Sequence, residues 1–404
     1  MKTIIATAAV LAAAGPACAQ GIALKPIAEA RIRYEHVDQD GLPDTANALT
    51  ARVRGGVQAS SGALSATVQA QGTLAIKGNY YDGLHGVATR TPLVADPENV
   101  ALYIAQLQYR TKAATLTAGR QKIALDDERF VGNVAFRDNG QTFDGVRAEI
   151  TPIAKLKVDI SYVWSVRTVW GIDGRAARQQ AISGDNVFAN ISYATPIGAL
   201  TGFAYLVDVD EAAMQGFRMS SQTYGARLAG SRAVSKTAKL AWQISYARQS
   251  DYHRNPNDYA ADYYLADLML DVRGFKLGGG YEMLGADKGA ALTSFQTPYS
   301  TLFKFNGWAD KFLAATPPNG LRDLYGSAGY GWKQVGPFTG VTAQIVYHDF
   351  RSDRLDTHYG HEWNALLSAK LGKRTAVSVR YADYQAKSFA TDTQKLWLQL
   401  DWTL

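Results

Sequence analysis

Apolar and polar residues alternate at every second position in many short segments of this chain. The clearest segment is residues 49–60, in which Leu49, Val53 and Val57 share one parity while Arg52 and Arg54 share the other. Because successive side chains of a β-strand point to opposite faces, this segment predicts a strand with one apolar and one cationic face. Segments of this kind recur along the chain, which predicts an all-β protein.

The spacing of these segments also predicts how the strands are connected. Division at the alternating runs gives about eighteen strands, or sixteen if two weak segments are loops. The gaps alternate between short and long. The short gaps are residues 61–62, 110–113, 151–154, 195–198, 231–236, 273–275, 334–337 and 371–373, and the long gaps are residues 38–47, 78–99, 122–141, 168–184, 208–220, 250–260, 285–320, 351–360 and 387–392. This alternation is typical of a single transmembrane antiparallel β-barrel with short periplasmic turns and long extracellular loops. We interpret residues 20–404 as this one domain.

Residues 1–19 have the features of a secretory signal peptide. Lys2 precedes a short apolar run, and Ala17, Cys18 and Ala19 provide small residues at the cleavage positions. Cleavage after Ala19 leaves a chain without cysteine, which excludes a disulfide-stabilised scaffold. No later segment offers the ~18 consecutive apolar residues of a membrane helix. Export combined with half-apolar strands predicts a barrel in the outer membrane of a Gram-negative-type bacterium, with lipid outside and water inside.

The formal net charge of +6 is modest, so the placement of the charges is more informative than their number. A charge that faces lipid at mid-depth costs roughly 2–4 kcal/mol, so parity predicts that charged strand residues face the lumen. An arginine-lined lumen would concentrate anions and bind carboxylates through two hydrogen bonds. The candidate solute-binding residues are Arg31, Arg33, Arg52, Arg54, Arg120, Arg129, Arg137, Arg147, Arg167, Arg227 and Arg380.

Within this set, Arg52 and Arg54 have no carboxylate on their own strand, so we expect them to be the residues that meet a solute. The alternative is that the arginines pair with wall carboxylates and only brace the lumen. The available acidic partners are Glu29, Glu35, Glu149, Asp159 and Glu282. Arg120 shares its parity with Leu116, which would point it toward lipid unless Gly119 marks a bulge that resets the face.

Two long loops are unusually rich in aromatic and apolar residues. They lie in residues 119–144 and 295–325, where a merely solvated loop would be more polar. We therefore predict that both fold inward as a constriction or lid. The alternative is packing of the loops against one another at the barrel mouth.

The same two stretches resemble the alginate-export family of outer-membrane β-barrels. The first matching block contains Gly119, Arg120, Gln121, Arg129, Phe130, Gly132, Arg137, Asn139, Gln141, Thr142, Phe143 and Asp144. The second block contains Phe295, Thr297, Pro298, Phe305, Gly307, Trp308, Ala309, Asp310, Phe312, Leu313, Pro317, Gly320, Leu321 and Asp323. The resemblance implies an eighteen-stranded barrel with an arginine-rich pore for an anionic polysaccharide.

The sequence therefore predicts a passive channel that passes an anionic saccharide, alginate or its oligomers, through an arginine-lined lumen. The alternatives are a general anion-preferring porin for small acids, or a closed-lumen enzyme or adhesion barrel. The expected partners are the anionic solute and outer-membrane lipid, with no nucleic acid, and the sequence indicates no particular oligomeric state.

We expect neither catalysis nor a cofactor, because none of the six histidines is paired with a serine at a spacing that constrains geometry. We also expect no metal. Asp126, Asp127 and Glu128 could hold Ca²⁺, but pairing with Arg129 is the favoured interpretation.

Overall fold

The structure, a computed structural model, describes residues 21–212, 215–313 and 315–404, so the signal peptide expected at residues 1–19 lies outside the described residues. The described chain forms one eighteen-stranded antiparallel sheet. Its strands are β1 (Ala23–Gln39), β2 (Ala46–Ser61), β3 (Leu64–Asn79), β4 (Asn99–Arg110), β5 (Ala114–Gln121), β6 (Thr142–Ile153), β7 (Leu156–Arg167), β8 (Ala181–Thr195), β9 (Gly198–Val207), β10 (Ser221–Ala233), β11 (Ala238–Asp251), β12 (Ala260–Val272), β13 (Phe275–Leu284), β14 (Leu321–Val335), β15 (Phe338–Arg351), β16 (His358–Leu371), β17 (Thr375–Ala386) and β18 (Thr393–Thr403).

The first and last strands pair with each other and close the sheet into a barrel. The pairing runs from Glu29 opposite Thr403 to Gln39 opposite Thr393, and every other strand pairs with its sequence neighbours. Closure lets the backbone groups of β1 and β18 hydrogen-bond to each other, which a sheet in lipid requires. The prediction of an all-β barrel is confirmed, with eighteen strands rather than sixteen.

The connections alternate as the sequence predicts. One end of the barrel carries turns of two to four residues, and the other end carries loops of six to 36 residues. Two short 3₁₀ helices, Gly216–Met219 and Leu302–Lys304, lie in the loops. No helix in the described part of the chain is long and apolar enough to cross a membrane.

The outer wall is apolar because alternate side chains point away from the lumen. On β5, Leu116 is 49% exposed whereas Thr117 is 5% exposed, and on β7, Ile160 is 46% exposed whereas Ser161 is 1% exposed. This periodic exposure of large apolar residues is the pattern of a lipid-facing wall.

Both long loops fold into the lumen, as predicted. Phe130 of the β5–β6 loop lies among Phe203 of β9, Tyr263 of β12 and Phe295 of the β13–β14 loop, with ring centroids 5.1–5.8 Å apart. Phe295 and Tyr263 are fully buried. These rings form an aromatic core inside the barrel, next to the strands from β8 to β12.

A second contact joins the two loops on the opposite side of the lumen. Phe136 of the β5–β6 loop stacks on Phe303 of the β13–β14 loop with ring centroids 3.4 Å apart. Both rings meet Trp397 of β18 edge-on. The loops are therefore held at two places across the barrel rather than at its mouth.

Candidate functional site

Five inward-facing arginines lie on neighbouring strands on either side of the closure between β1 and β18. Arg31 of β1 is directly opposite Arg52 of β2, and Arg54 is opposite Glu29. Arg380 of β17 is opposite the buried Trp397 of β18. We call Arg31, Arg33, Arg52, Arg54 and Arg380 the cationic wall.

Arg31 and Arg33 are fully engaged by protein acceptors. Arg31 donates from Nε to Asp401 Oδ1 at 2.7 Å, across the closure between β1 and β18. Arg33 donates to Gln399 Oε1 at 3.0 Å across the same closure, and to Asp96 Oδ2 at 3.0 Å. These two arginines brace the wall, as the alternative interpretation of the sequence holds.

Arg52 and Arg54 share a single carboxylate. Glu29 Oε2 lies 3.6 Å from Arg52 Nη2 and 3.5 Å from Arg54 Nη1. Arg54 also donates to Gln71 Oε1 at 2.6 Å. In contrast, Nε and Nη1 of Arg52 have no hydrogen-bond partner among the described residues, although the residue is only 4% exposed. Leaving a buried hydrogen-bond donor unpaired costs about 1–3 kcal/mol of stability. Binding of a water molecule or an anion beside Arg52 would therefore be favourable.

Arg380 lacks an acidic partner within the described part of the chain. Its Nη1 donates to Ser378 Oγ at 3.1 Å, and its guanidinium lies 5.5 Å from the centre of the Phe136 ring. Arg380 and Arg52 therefore carry the least compensated charge of the cationic wall.

Arg137 ties the β5–β6 loop to both edges of the closure. Its Nη2 lies 2.6 Å from Asp310 Oδ2 of the other long loop, and its Nη1 lies 3.3 Å from Glu35 Oε2 of β1. Lys395 of β18 lies 3.3 Å from the same oxygen of Asp310. Burial alone would lower the pKa of Arg137, but Glu35 and Asp310 outweigh it and raise that pKa. Arg137 is therefore permanently charged and is not free to bind an anion. We use the word clasp for such a buried arginine whose ion pairs hold a loop to the wall.

Arg129 forms a second clasp on the other side of the lumen. Its Nε donates to Glu282 Oε1 of β13 at 2.6 Å and its Nη2 donates to Asn306 Oδ1 at 2.9 Å. Tyr263 donates its hydroxyl to Glu282 Oε1 at 2.8 Å. At 1% exposure, Arg129 is enclosed by protein, so its contacts fix the loops to the wall.

The three acids before Arg129 do not pair with its guanidinium, contrary to expectation. Asp126 and Asp127 lie 3.6 and 3.7 Å from Arg227 of β10. Glu128 instead accepts a hydrogen bond from Thr301 Oγ1 at 2.6 Å. The acids therefore join the loop to the wall and to the neighbouring loop.

Arg147 and Arg227 face the lumen as predicted, but both are paired. Arg147 of β6 donates to both oxygens of Asp159 on β7, at 2.9 and 2.5 Å, and lies 3.4 Å from Glu149. Arg227 meets the loop acids described above. Both match the bracing alternative more closely than a solute-binding role.

Arg120 and Arg167 do not face the lumen, which corrects their prediction as lumen residues. The register of β5 with β4 and β6 continues unbroken through Gly119, so no bulge resets the face. Arg120 is paired with Asp144, which points away from the lumen because the adjacent Phe143 is buried in the barrel interior. Arg167 reaches the same Asp144 at 3.3 Å from its Nε.

Several lumen groups were not identified from the sequence. Glu362 of β16 accepts a hydrogen bond from the backbone N–H of Ala309 at 2.8 Å and holds the β13–β14 loop. Lys311 on that loop donates to Thr393 Oγ1 at 2.5 Å, and burial together with Lys395 lowers its pKa to about 8. Lys122 lies beside the cationic wall, and burial lowers its pKa. The parity of β16 places Glu362 inside, whereas the positions of Lys311 and Lys122 depend on how their loops dock, which no local pattern encodes.

Comparison with known proteins identifies the fold. No known family profile matches the chain, and no curated protein matches it. Among solved structures, OccAB4 of Acinetobacter baumannii is 14% identical with a TM-score of 0.70, over 95% of this chain and 99% of that one. OpdK of Pseudomonas aeruginosa, solved with vanillate, is 12% identical with a TM-score of 0.70, over 94% and 98% of the two chains. OpdQ of Pseudomonas aeruginosa is 17% identical with a TM-score of 0.66, over 94% and 98%.

At such low identity, the similarity establishes the fold alone. A further match, opdK from Pseudomonas aeruginosa, is described as an outer membrane protein. The closed barrel and its apolar outer wall define this chain as a transmembrane β-barrel with the fold of these proteins. The location expected from the sequence, the outer membrane, agrees with that fold. The named structures are Occ and Opd proteins rather than alginate exporters.

Proposed function

We propose that this protein is a passive outer-membrane channel that passes small organic anions along the cationic wall. The observation that carries the proposal is Arg52, with two buried donors that no atom of the described residues satisfies. An anion beside Arg52 would accept a hydrogen bond from one of these donors and would complement the positive charge, while water would satisfy the other donor, since Nε and Nη1 lie on different edges of the guanidinium. Arg380, which has no acidic partner in the described chain, extends the uncompensated charge along the wall.

Small anions are favoured over a polymer because the lumen is narrowed from both sides. The aromatic core adjoins β8 to β12, and the clasps at Arg129 and Arg137 hold both loops across the barrel. The structural match to OpdK with vanillate, a small carboxylate, supports the same size class.

An anionic saccharide is the second candidate solute. It is favoured by the two sequence blocks that resemble the alginate-export family, at residues 119–144 and 295–325. An oligomer of alginate carries one carboxylate on each sugar, so it could meet Arg52 and Arg380 in turn. The closed-lumen enzyme or adhesion barrel is the third possibility, and it would conduct no ions.

Planar-bilayer recording distinguishes these three functions. We expect conductance with a reversal potential that favours anions, and block of the current by vanillate but not by neutral solutes of equal size. Block by alginate oligomers at lower concentration than by vanillate would favour the saccharide channel. Cation preference, or a complete lack of conductance from folded protein, would refute the anion channel.

A further inference from the structure

The outer wall carries an arginine pair that the channel function does not use. Arg120 and Arg167 lie at the long-loop ends of β5 and β7, and both contact Asp144 at the start of β6. Two guanidinium groups therefore share one carboxylate on a wall that faces lipid. Charges on that face are costly at mid-depth, so they indicate either the interfacial level of the membrane or a bound counter-charge.

The two arginines differ in how much of their hydrogen-bonding capacity is used. Arg120 donates to both oxygens of Asp144 at 2.7 and 2.8 Å, and to Leu102 O at 2.9 Å. Arg167 contacts Asp144 only through Nε, at 3.3 Å, and its side chain is 34% exposed. The two terminal nitrogens of Arg167 thus remain available, while Arg120 fixes the position of Asp144.

An apolar groove of about 520 Å³ lies directly below this pair on the same outer wall. Its lining includes Leu107, Leu116, Ala118, Ala148, Ile160 and Tyr162. Ala118 and Ala148 create the depression, because their larger neighbours project on either side. Along β5, Ala118 is followed two residues later by Arg120, about 7 Å further toward the long-loop end.

Aromatic residues with polar groups border the upper end of the groove. Tyr162 donates its hydroxyl to Asp185, and Trp164 is 44% exposed beside it with ring centroids 6.3 Å apart. Such residues favour the boundary between the lipid chains and water. Asp185 forms no ion pair with either arginine within the described residues, so it does not occupy their hydrogen-bond donors.

We propose that Arg167, positioned by Asp144 and Arg120, binds the phosphate of an anionic membrane lipid whose acyl chain lies in the groove. The cationic end and the apolar groove are aligned along one strand, which matches the headgroup and chain of one lipid molecule. Arginine is suited to this role because its planar guanidinium can donate two hydrogen bonds to one phosphate.

Native mass spectrometry of the full chain in detergent tests this site. Phosphatidylglycerol is titrated against diacylglycerol with the same acyl chains, and inorganic phosphate is added as a competitor. We expect wild-type protein to retain phosphatidylglycerol in preference to diacylglycerol. The R167Q variant should bind it about tenfold more weakly, as expected for loss of a hydrogen bond to a charged group. The A118F variant fills the groove and should weaken binding while both arginines remain.

Arg248 provides the matched control. It also faces outward, pairs with Asp262 at 3.1 Å and is 58% exposed, but it lies on β11, whereas the groove is lined by residues of β3 to β7. R248Q should bind phosphatidylglycerol as wild type does. Equal binding of both lipids, unchanged binding by R167Q, or displacement by millimolar inorganic phosphate would overturn the proposal. The proposal would also be overturned if the mass spectra showed a lipid-free dimer of the wild-type protein that the A118F variant does not form.

Discussion

Replacement of Arg52 by glutamine should weaken anion preference without closing the channel. The substitution removes one positive charge whose Nε and Nη1 have no hydrogen-bond partner in the described part of the chain. About 4 Å from a monovalent anion, one charge contributes about 1 kcal/mol in bulk water and about 4 kcal/mol at an effective dielectric constant of 20. Because Arg52 is only 4% exposed, the lower value is a minimum, and it corresponds to at least about a fivefold loss of anion permeability, since about 1.4 kcal/mol is tenfold.

The assay is the reversal potential across a planar bilayer under a potassium chloride gradient. The screening length falls from about 10 Å at 0.1 M to about 3 Å at 1 M salt, so the effect of R52Q should be large at low salt and small at high salt. R248Q is the control, because it removes the same charge from the outer wall. If R52Q shifts the reversal potential no more than R248Q at low salt, Arg52 does not meet the permeating ion.

Three further predictions concern the loops and the wall. Because the pKa of Lys311 is lowered to about 8, its positive charge is present below that pH and lost above it. Anion preference, measured by the reversal potential, should therefore fall as pH rises from about 7 to about 9. The K311Q variant should not show this change. R137Q removes the ion-pair partner of Glu35 and one of the two partners of Asp310, so single-channel conductance should rise and become noisier. K288Q breaks an exposed loop pair and should leave the conductance unchanged. G119A places a Cβ atom 2.3 Å from a backbone oxygen at a φ of +108°. It should lower the free energy of unfolding by more than about 1 kcal/mol and reduce the folded fraction in a gel-mobility assay. G55A is the control, because its Cβ meets nothing within 4 Å.

The barrel could be predicted from the sequence because its signal is local. Parity along each strand places Arg52, Arg147 and Arg380 inside, and the alternation of gap lengths gives the correct order of turns and loops. For Arg120, strand parity predicts the correct, outward face, whereas the bulge considered at Gly119 does not form. The alternation pointed it outward, and Gly119 adopts a positive φ close to the next strand without shifting the register.

The division of the arginines into braces and free ligands could not be predicted, because it depends on contacts between distant segments. Glu35 meets Arg137 from 102 positions away, and Arg129 meets Glu282 from 153 positions away. Parity fixes the face of a wall residue, but it carries no information on which loop atom will reach that residue. For this reason Arg52 and Arg54 look equivalent in the sequence, although of these two only Arg52 has donors without a partner among the described residues.

The charged chain from Glu35 through Arg137 and Asp310 to Lys395 spans the junction of the first and last strands from inside. These residues come together only when β1 pairs with β18, so the two long loops cannot reach their final positions before the barrel is closed. The same four groups hold the two long loops against the wall and also resist separation of β1 from β18. Docking of the two long loops and pairing of β1 with β18 are therefore coupled, and a variant that weakens one should weaken the other.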